Sequence, residues 1–264
     1  MERLDGLGAV LAGPANVVMQ LSWPPVAYGV LESSVASGRL GDHPLKRFRT
    51  TFTYLAVATL GGDDERRHMR SEVGRAHQSV RSGPGHPVGY DAFDPDLQLW
   101  VAACLYRGAE DVARRFFGPM AGAEADAFYR DAAALGTTLQ VRPETWPADR
   151  AAFEEYWAGG LKRISIDPKV HRYLWDVITS GFLPAPAGAV HGPWNLWLTT
   201  GFLAPEFRLA MGLAWSAADQ ARFDSAIAAM ALARRLLPGP ARRFPLNWFL
   251  WDFRVRSLLA RPVV

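Results

Sequence analysis

The stretch LKRFRTTFTYLAVATLGGDDERRHMRSEVGRAHQSVRS, residues 45–82, decides the fold class. Leu45, Phe48, Phe52 and Leu55 recur at helical spacing, so its first part reads as a helix with one apolar face. Gly61-Gly62 ends that helix, because glycine takes the left-handed C-terminal conformation without a Cβ penalty. Asp63, Asp64 and Glu65 follow, placing negative charge where a helix N-terminus favours it. The spacing predicts a second helix over 64–82, with Met69, Val73, Ala76 and Val80 on its buried stripe. The breaker-rich SGPGHPVG at 82–89 stops it.

The same reading extends in both directions. Asp94-Pro95 is an N-cap followed by proline at the first helical position, and it opens a helix carrying Leu97, Trp100, Val101, Cys104 and Leu105. Further helices are expected over 123–135, from near Asp149 through Phe153, Tyr156 and Trp157, and from Asp167-Pro168 through Val170, Leu174 and Val177. Ser216 with Asp219 resembles a capping box and starts a helix running to about residue 237. No run alternates with period two, and no internal repeat or low-complexity tract interrupts the pattern. LPAPAGAVHGP at 183–193 is the best boundary candidate, and is expected to be a loop within one domain. The expected fold is all-α, a single globular multi-helix domain spanning residues 1–264.

Composition narrows the function classes. With 49% hydrophobic residues, the chain can bury a core without disulfide or metal staples. Ten Trp and fourteen Phe point to large helix–helix contacts, which explain most of them, or to a pocket lined by rings. The formal net charge is +3, with basic residues spread along the chain in no Lys/Arg block, so nucleic acid is not an expected partner. Cys104 stands alone, which excludes an intramolecular disulfide and a zinc site of clustered thiolates, and fits a reducing compartment. The start, MERLDGLGAVLAGPANVVMQ, lacks the basic-then-apolar order of a signal peptide. Gln20, Pro24 and Pro25 interrupt one apolar stretch, and His191, Pro193 and Asn195 another, so no segment of about twenty apolar residues is available to span a bilayer. A soluble, cytoplasmic protein is expected.

Six histidines are available: His43, His68, His77, His86, His171 and His191. No pair has the i, i+4 spacing with an intervening Glu that binds zinc. His43 and His86 stand beside prolines, His68 follows Arg66-Arg67 near a helix start, and His191 sits in a Gly/Pro segment. His77 is different, because it falls within the buried stripe four residues after Val73. A buried imidazole needs a partner for its ring nitrogens, and two readings stay open: a hydrogen-bonded core histidine, or a ligand to a metal or haem iron. Arg81, one turn on, would pair with a carboxylate such as a haem propionate or lie on the surface. Arg47, Thr51 and Tyr54 form a polar stripe at i, i+4, i+7 that faces solvent or, turned inward, offers a cation and hydroxyls. Glu32 is the nearest acid. There is no G-x-S-x-G elbow or phosphate-cradling loop, and Gly118-Pro119-Met120-Ala121-Gly122 reads as a turn.

Five segments in order resemble one family: LAGPANVVMQLSWPPVAYGVLESS at 11–34, PLKRFRTTFTYL at 44–55, GRAHQSVRSG at 74–83, YDAFDPDLQLWVAACL at 90–105 and GFLAPEFRLAMGLAWSAADQARFD at 201–224. Together they are similar to the family of the MpaB oxygenase and the rubber-cleaving latex clearing protein. The resemblance implies a buried pocket for haem b, with His77 as the iron ligand by motif position. It implies oxygenative cleavage of a carbon–carbon double bond in a hydrophobic, isoprenoid-type small molecule, with dioxygen as co-substrate. Arg47 and Thr51 match residues on the distal side of the haem, Arg81 the arginine one turn after the axial histidine, and Arg208 a tail arginine. Glu32 and Tyr54 are placed by spacing as candidates for proton handling. Three positions depart from the pattern: Trp23 and Ala102 stand where histidines are frequent, and Thr50 where the rubber enzymes carry lysine. The alternatives are a haem-free helical protein of the same fold that binds an apolar ligand without redox chemistry, and a helical enzyme working through Arg and Glu.

Overall fold

Capping chemistry punctuates the chain where the sequence places it. Asp94, Asp149 and Asp167 each accept a backbone N–H of the helix that follows, and Ser216 forms a reciprocal box with Asp219. The computed structural model describes residues 3, 5–33, 35 and 44–263. Its described residues form thirteen α-helices. The first six are α1 Gly6–Leu21, α2 Pro24–Leu31, α3 Pro44–Leu60, α4 Asp63–His77, α5 Pro95–Phe117 and α6 Gly122–Thr137. Then come α7 Arg150–Leu161, α8 Pro168–Ile178, α9 Ala187–Phe202, α10 Pro205–Ala210, α11 Ala217–Arg234, α12 Gly239–Arg242 and α13 Leu246–Leu258. No β-strand occurs among the described residues, and the fold is all-α in one domain, as expected.

α5 is the axis of the molecule, with α1, α2, α6 and α11 packed around it. Its contact with α1 is close because glycines stand at the crossing: a Cβ on Gly8 would lie 2.5 Å from Val112 Cγ1, and one on Gly108 would lie 2.3 Å from Asn16 Nδ2. α9 covers the other side of α1, and α13 lies along α3, with Phe249 against Phe48 and Phe52. On one side of α5, Trp100 is stacked between Trp23, at 4.4 Å, and Trp157, at 5.1 Å. Each such ring pair adds about 0.5–1.5 kcal/mol beyond the area it buries.

Two expectations change. α4 ends at His77 rather than at residue 82. Beyond it the backbone pairs across the loop: Ser82 N donates to Tyr90 O at 2.8 Å and Ala92 N to Val80 O at 2.9 Å, around one antiparallel bridge between Arg81 and Asp91. Pro84, Gly85, Pro87 and Gly89 turn the chain back on itself, which makes that pairing available and ends the helix. The 183–193 segment is a loop only at its start. α9 begins at Ala187 and keeps Pro193 inside it, and Asn195 ties it to α8 by donating to Val177 O at 2.9 Å.

Candidate functional site

A cavity of about 230 Å³ opens between α2, α3, α4 and α5, bounded also by the 78–92 loop and by the chain leaving α6. At roughly 10–15 Å³ of such space per water, it has room for on the order of fifteen to twenty waters, somewhat less than the roughly 300–1,000 Å³ of a pocket for a drug-sized ligand. Its walls are mainly aliphatic, with Val30, Val73, Leu97, Val101 and Leu139 among them. The polar groups reaching it include Arg47, Thr50 and Thr51 from α3, His77 from α4 and Gln98 from α5.

His77 closes the last turn of α4, with Nδ1 3.3 Å from Gln140 Oε1. The amide of Gln140 is oriented by Gln98. Gln98 Nε2 donates to Ala92 O at 2.8 Å, so the same NH2 group faces Gln140 at 3.1 Å and must meet an oxygen there. His77 Nδ1–H donates to that oxygen as well. Nε2 then carries the lone pair, and among the described residues it has no hydrogen-bond partner. Burial pulls the His77 pKa below its ordinary value against the opposing bond to Gln140, and the charge of Arg47 pushes the same way as burial. The imidazole is therefore neutral at pH 7.

The upstream stripe turns inward. Arg47 is half-buried on the cavity wall, where desolvation lowers its pKa and the Tyr173 phenol of α8 opposes the shift. Thr50 Oγ1 donates to Lys46 O at 2.8 Å, so that hydroxyl is engaged by its own helix. Thr51 lines the cavity and makes no hydrogen bond among the described residues. Tyr54 is buried, with its hydroxyl donating to Leu135 O and its pKa pushed well up by burial. It fastens α3 to α6, which leaves its proton committed to structure.

Other residues singled out in the sequence lie elsewhere. Glu32, the C-cap of α2, does not line the cavity. It accepts from Lys169 Nζ at 2.6 Å and Tyr90 Oη at 3.2 Å, with His86 Nε2 at 3.0 Å, and the Lys169 ammonium holds its carboxyl below the usual range. Tyr90 lines the cavity, so this cluster braces the rim. Arg81 is exposed and donates to Gln78 O at 3.0 Å. Arg208 is remote, donating to Thr200 O at 2.7 Å and lying over Trp215. Of the three departures, Trp23 and Ala102 do not line the cavity, whereas Thr50 does. Trp23 packs in the aromatic stack and donates to Gly160 O, and Ala102 packs toward Gly136 of α6. Among the other histidines, His171 approaches Met211 O and His191 approaches Ser180 Oγ, while His43 lies outside the described residues.

Gln140 gives no signal in the sequence, because it reaches His77 from the turn after α6. That turn is unusual. Gln140 has φ 119°, a region glycine favours, and the N–H groups of Leu139, Gln140 and Val141 converge on Gly136 O. Arg70 of α4 holds the turn by donating to the carbonyls of Thr137 and Gln140. A Cβ on Gly74 would stand 2.6 Å from Gln140 Nε2, so glycine there leaves the room in which the amide lies. Gln98 did carry a signal, as a polar side chain between the apolar Leu97 and Val101 at the start of α5.

Comparison with known proteins gives the chain a family. The model of the family described as ER-bound oxygenase mpaB/B'/rubber oxygenase, catalytic domain, matches residues 3–235. An uncharacterized protein of Mycobacterium tuberculosis is 52% identical over 255 residues, covering 97% of this chain and 100% of the relative. One of Mycobacterium bovis is similar to the same extent. No solved structure matches. With 233 consecutive residues matched to its model, the chain belongs to the mpaB and rubber oxygenase catalytic-domain family.

Proposed function

We propose that the protein is a haem b-dependent oxidoreductase that turns dioxygen on a hydrophobic, isoprenoid-type small molecule held in this cavity. The observation that carries the reading is His77, a neutral imidazole on an aliphatic wall with Nδ1–H held by Gln140 and Nε2 uncommitted. This is the form in which histidine ligates iron. The donor set suits haem better than a bare ion. Among the described residues no three His, Cys, Asp or Glu side chains gather to hold a metal, whereas a porphyrin brings its own in-plane ligands and asks for one imidazole. Aliphatic walls suit the macrocycle, and Arg47 offers a cation to an anionic edge. When bound, haem supplies the iron that activates dioxygen.

The chain's own residues divide the remaining tasks. His77 holds the group through Nε2, and Gln140 keeps the imidazole proton on Nδ1. Arg47 keeps its proton throughout, so it works as a fixed charge and donor rather than as a relay. Thr51 supplies a hydroxyl that both donates and accepts. Val30, Val73 and Leu97 exclude water from the reacting centre. Glu32, ionised at the rim, acts through the Tyr90 hydroxyl and keeps that wall in place.

The test is an absorption spectrum of the protein produced with ample haem precursor, before and after dithionite and carbon monoxide. A Soret band that shifts with both treatments is expected, followed by oxygen uptake with isoprenoid substrates. A colourless protein that also fails to take up haemin overturns the reading in favour of a haem-free ligand-binding protein.

A further inference from the structure

Although the sequence has no contiguous Lys/Arg block, its charge is unevenly distributed. Residues 232–264 contain seven arginines and one acid, Asp252, a formal charge of +6 in a chain whose total is +3. The family match ends at residue 235, so nearly all of this stretch lies beyond it. Arg234, Arg254 and Arg256 are paired with Asp5, Glu65 and Asp252. Arg235, Arg243 and Arg261 are without a carboxylate partner among the described residues, and Arg242 donates to the carbonyls of Leu237 and Arg235.

The apolar surface beside these arginines is larger than the fold requires. α13 buries Leu246, Phe249, Leu250 and Phe253 on the side that meets α3. At about 100° per residue, Trp248, Trp251 and Leu258 fall within an arc of roughly 80° on the opposite side. There Trp251 is 58% and Leu258 86% exposed. A helix at a protein surface ordinarily turns a polar face to water. Leu236 and Phe244 add to the surface, 87% and 59% exposed. The bonds of Arg242 to Leu237 O and Arg235 O, with Asn247 Nδ2 to Pro240 O at 3.0 Å, fold them into one piece with the start of α13.

We propose that α13 and the turn before it dock the protein on an anionic membrane surface. Trp248, Trp251, Phe244 and Leu258 enter the interfacial layer, and Arg235, Arg243 and Arg261 meet lipid phosphates. Tryptophan and arginine suit this boundary, one with an apolar ring and a polar edge, the other with an apolar stem and a charged head. A second copy of the chain is a poorer occupant. A two-fold contact through the same patch would set two arginine clusters of like charge against each other. α13 packs on α3, the helix that also carries Arg47 and Thr51, so docking brings the cavity to a reservoir of lipophilic molecules. That consequence rests on the proposed function; the docking itself does not.

The experiment is flotation of the full chain with vesicles of phosphatidylcholine alone or with about a quarter phosphatidylglycerol, at low and high salt. Retention on the anionic vesicles, weakened by salt, is expected. The double substitution Trp248→Ser/Trp251→Ser and, separately, Arg235→Glu/Arg243→Glu should each reduce binding about tenfold or more, with circular dichroism unchanged. The His77→Ala protein should float like the unmodified one, which separates this surface from the cavity's chemistry. Failure to bind either vesicle, or binding indifferent to both double substitutions, overturns the proposal. So does a dimer, seen by light scattering, that the tryptophan substitutions dissociate in a protein that does not float.

Discussion

The two sides of α5 are built from different materials. On one side Trp100 is sandwiched between Trp23 and Trp157, and Tyr106 meets Phe153 and Tyr129 edge-on. On the other, Leu97, Val101 and Leu105 face the cavity, whose described lining includes two tyrosines, Tyr54 and Tyr90, and otherwise no Phe, Tyr or Trp. The aromatic wealth of the chain therefore went into scaffold. A void of this size persists where its walls are held from behind, because a close-packed interior otherwise relaxes to fill it.

The largest expected effect breaks the scaffold side. Trp100→Ala removes the middle ring of the stack and should cost about 3–5 kcal/mol in urea unfolding. The neighbouring Val101→Ala enlarges a cavity that already exists and should cost about 1 kcal/mol. Equal costs at the two positions would mean that both sides of α5 are packed alike.

Next in size is His77→Ala. The apo protein should keep its helical content and lose little stability, while haem retention falls by about a hundredfold or more, read from the Soret band after desalting. A full haem complement in the folded variant would move the axial assignment elsewhere. The contrast with Trp100 is that one residue carries the fold, whereas the other would carry the proposed haem.

These contrasts also explain what the sequence made legible. Caps and periodicity are local, so Asp94, Asp167 and Ser216 marked helix starts correctly, and the stripe of Met69 and Val73 marked the buried face that leads to His77. Arg47 and Thr51 were visible as a stripe, but its inward orientation depends on where α3 lies against α4 and α5, which spacing does not encode. Arg81 was placed by extending α4 through a segment whose backbone pairs with residues 90–92 instead. Gln140 was out of reach, because its nearness to His77 bridges 63 positions of chain and a positive φ that no glycine advertises.

The cavity side should also respond to pH. Burial lowers the His77 pKa in the fold, while the unfolded chain titrates near 6.5. Below about pH 6.5 the unfolded state binds a proton that the folded state refuses, so stability falls as pH falls toward the lowered folded value. The loss is at most about 1.4 kcal/mol per pH unit. Unfolding at stepped pH should show this component in the unmodified apo protein and lack it in His77→Leu. Parallel curves for the two would mean that the imidazole titrates freely.

The smallest effect separates strain from positioning within one residue. Gln140 holds a backbone conformation that costs a non-glycine residue about 1–3 kcal/mol, and its amide fixes the imidazole proton on Nδ1. Gln140→Gly relieves the first and removes the second. The apo variant should therefore unfold at a higher temperature by a few degrees, while haem dissociates about tenfold faster, the scale of effect seen when the hydrogen-bond acceptor behind a ligating histidine is lost. Gly74→Ala tests the same amide from the other side. Its added Cβ would stand 2.6 Å from Gln140 Nε2 and displace the side chain without touching the strained φ. It should speed haem loss with no gain attributable to relieved strain at residue 140. If both substitutions leave haem dissociation unchanged, Gln140 belongs to the turn alone and the tautomer of His77 is set by something else.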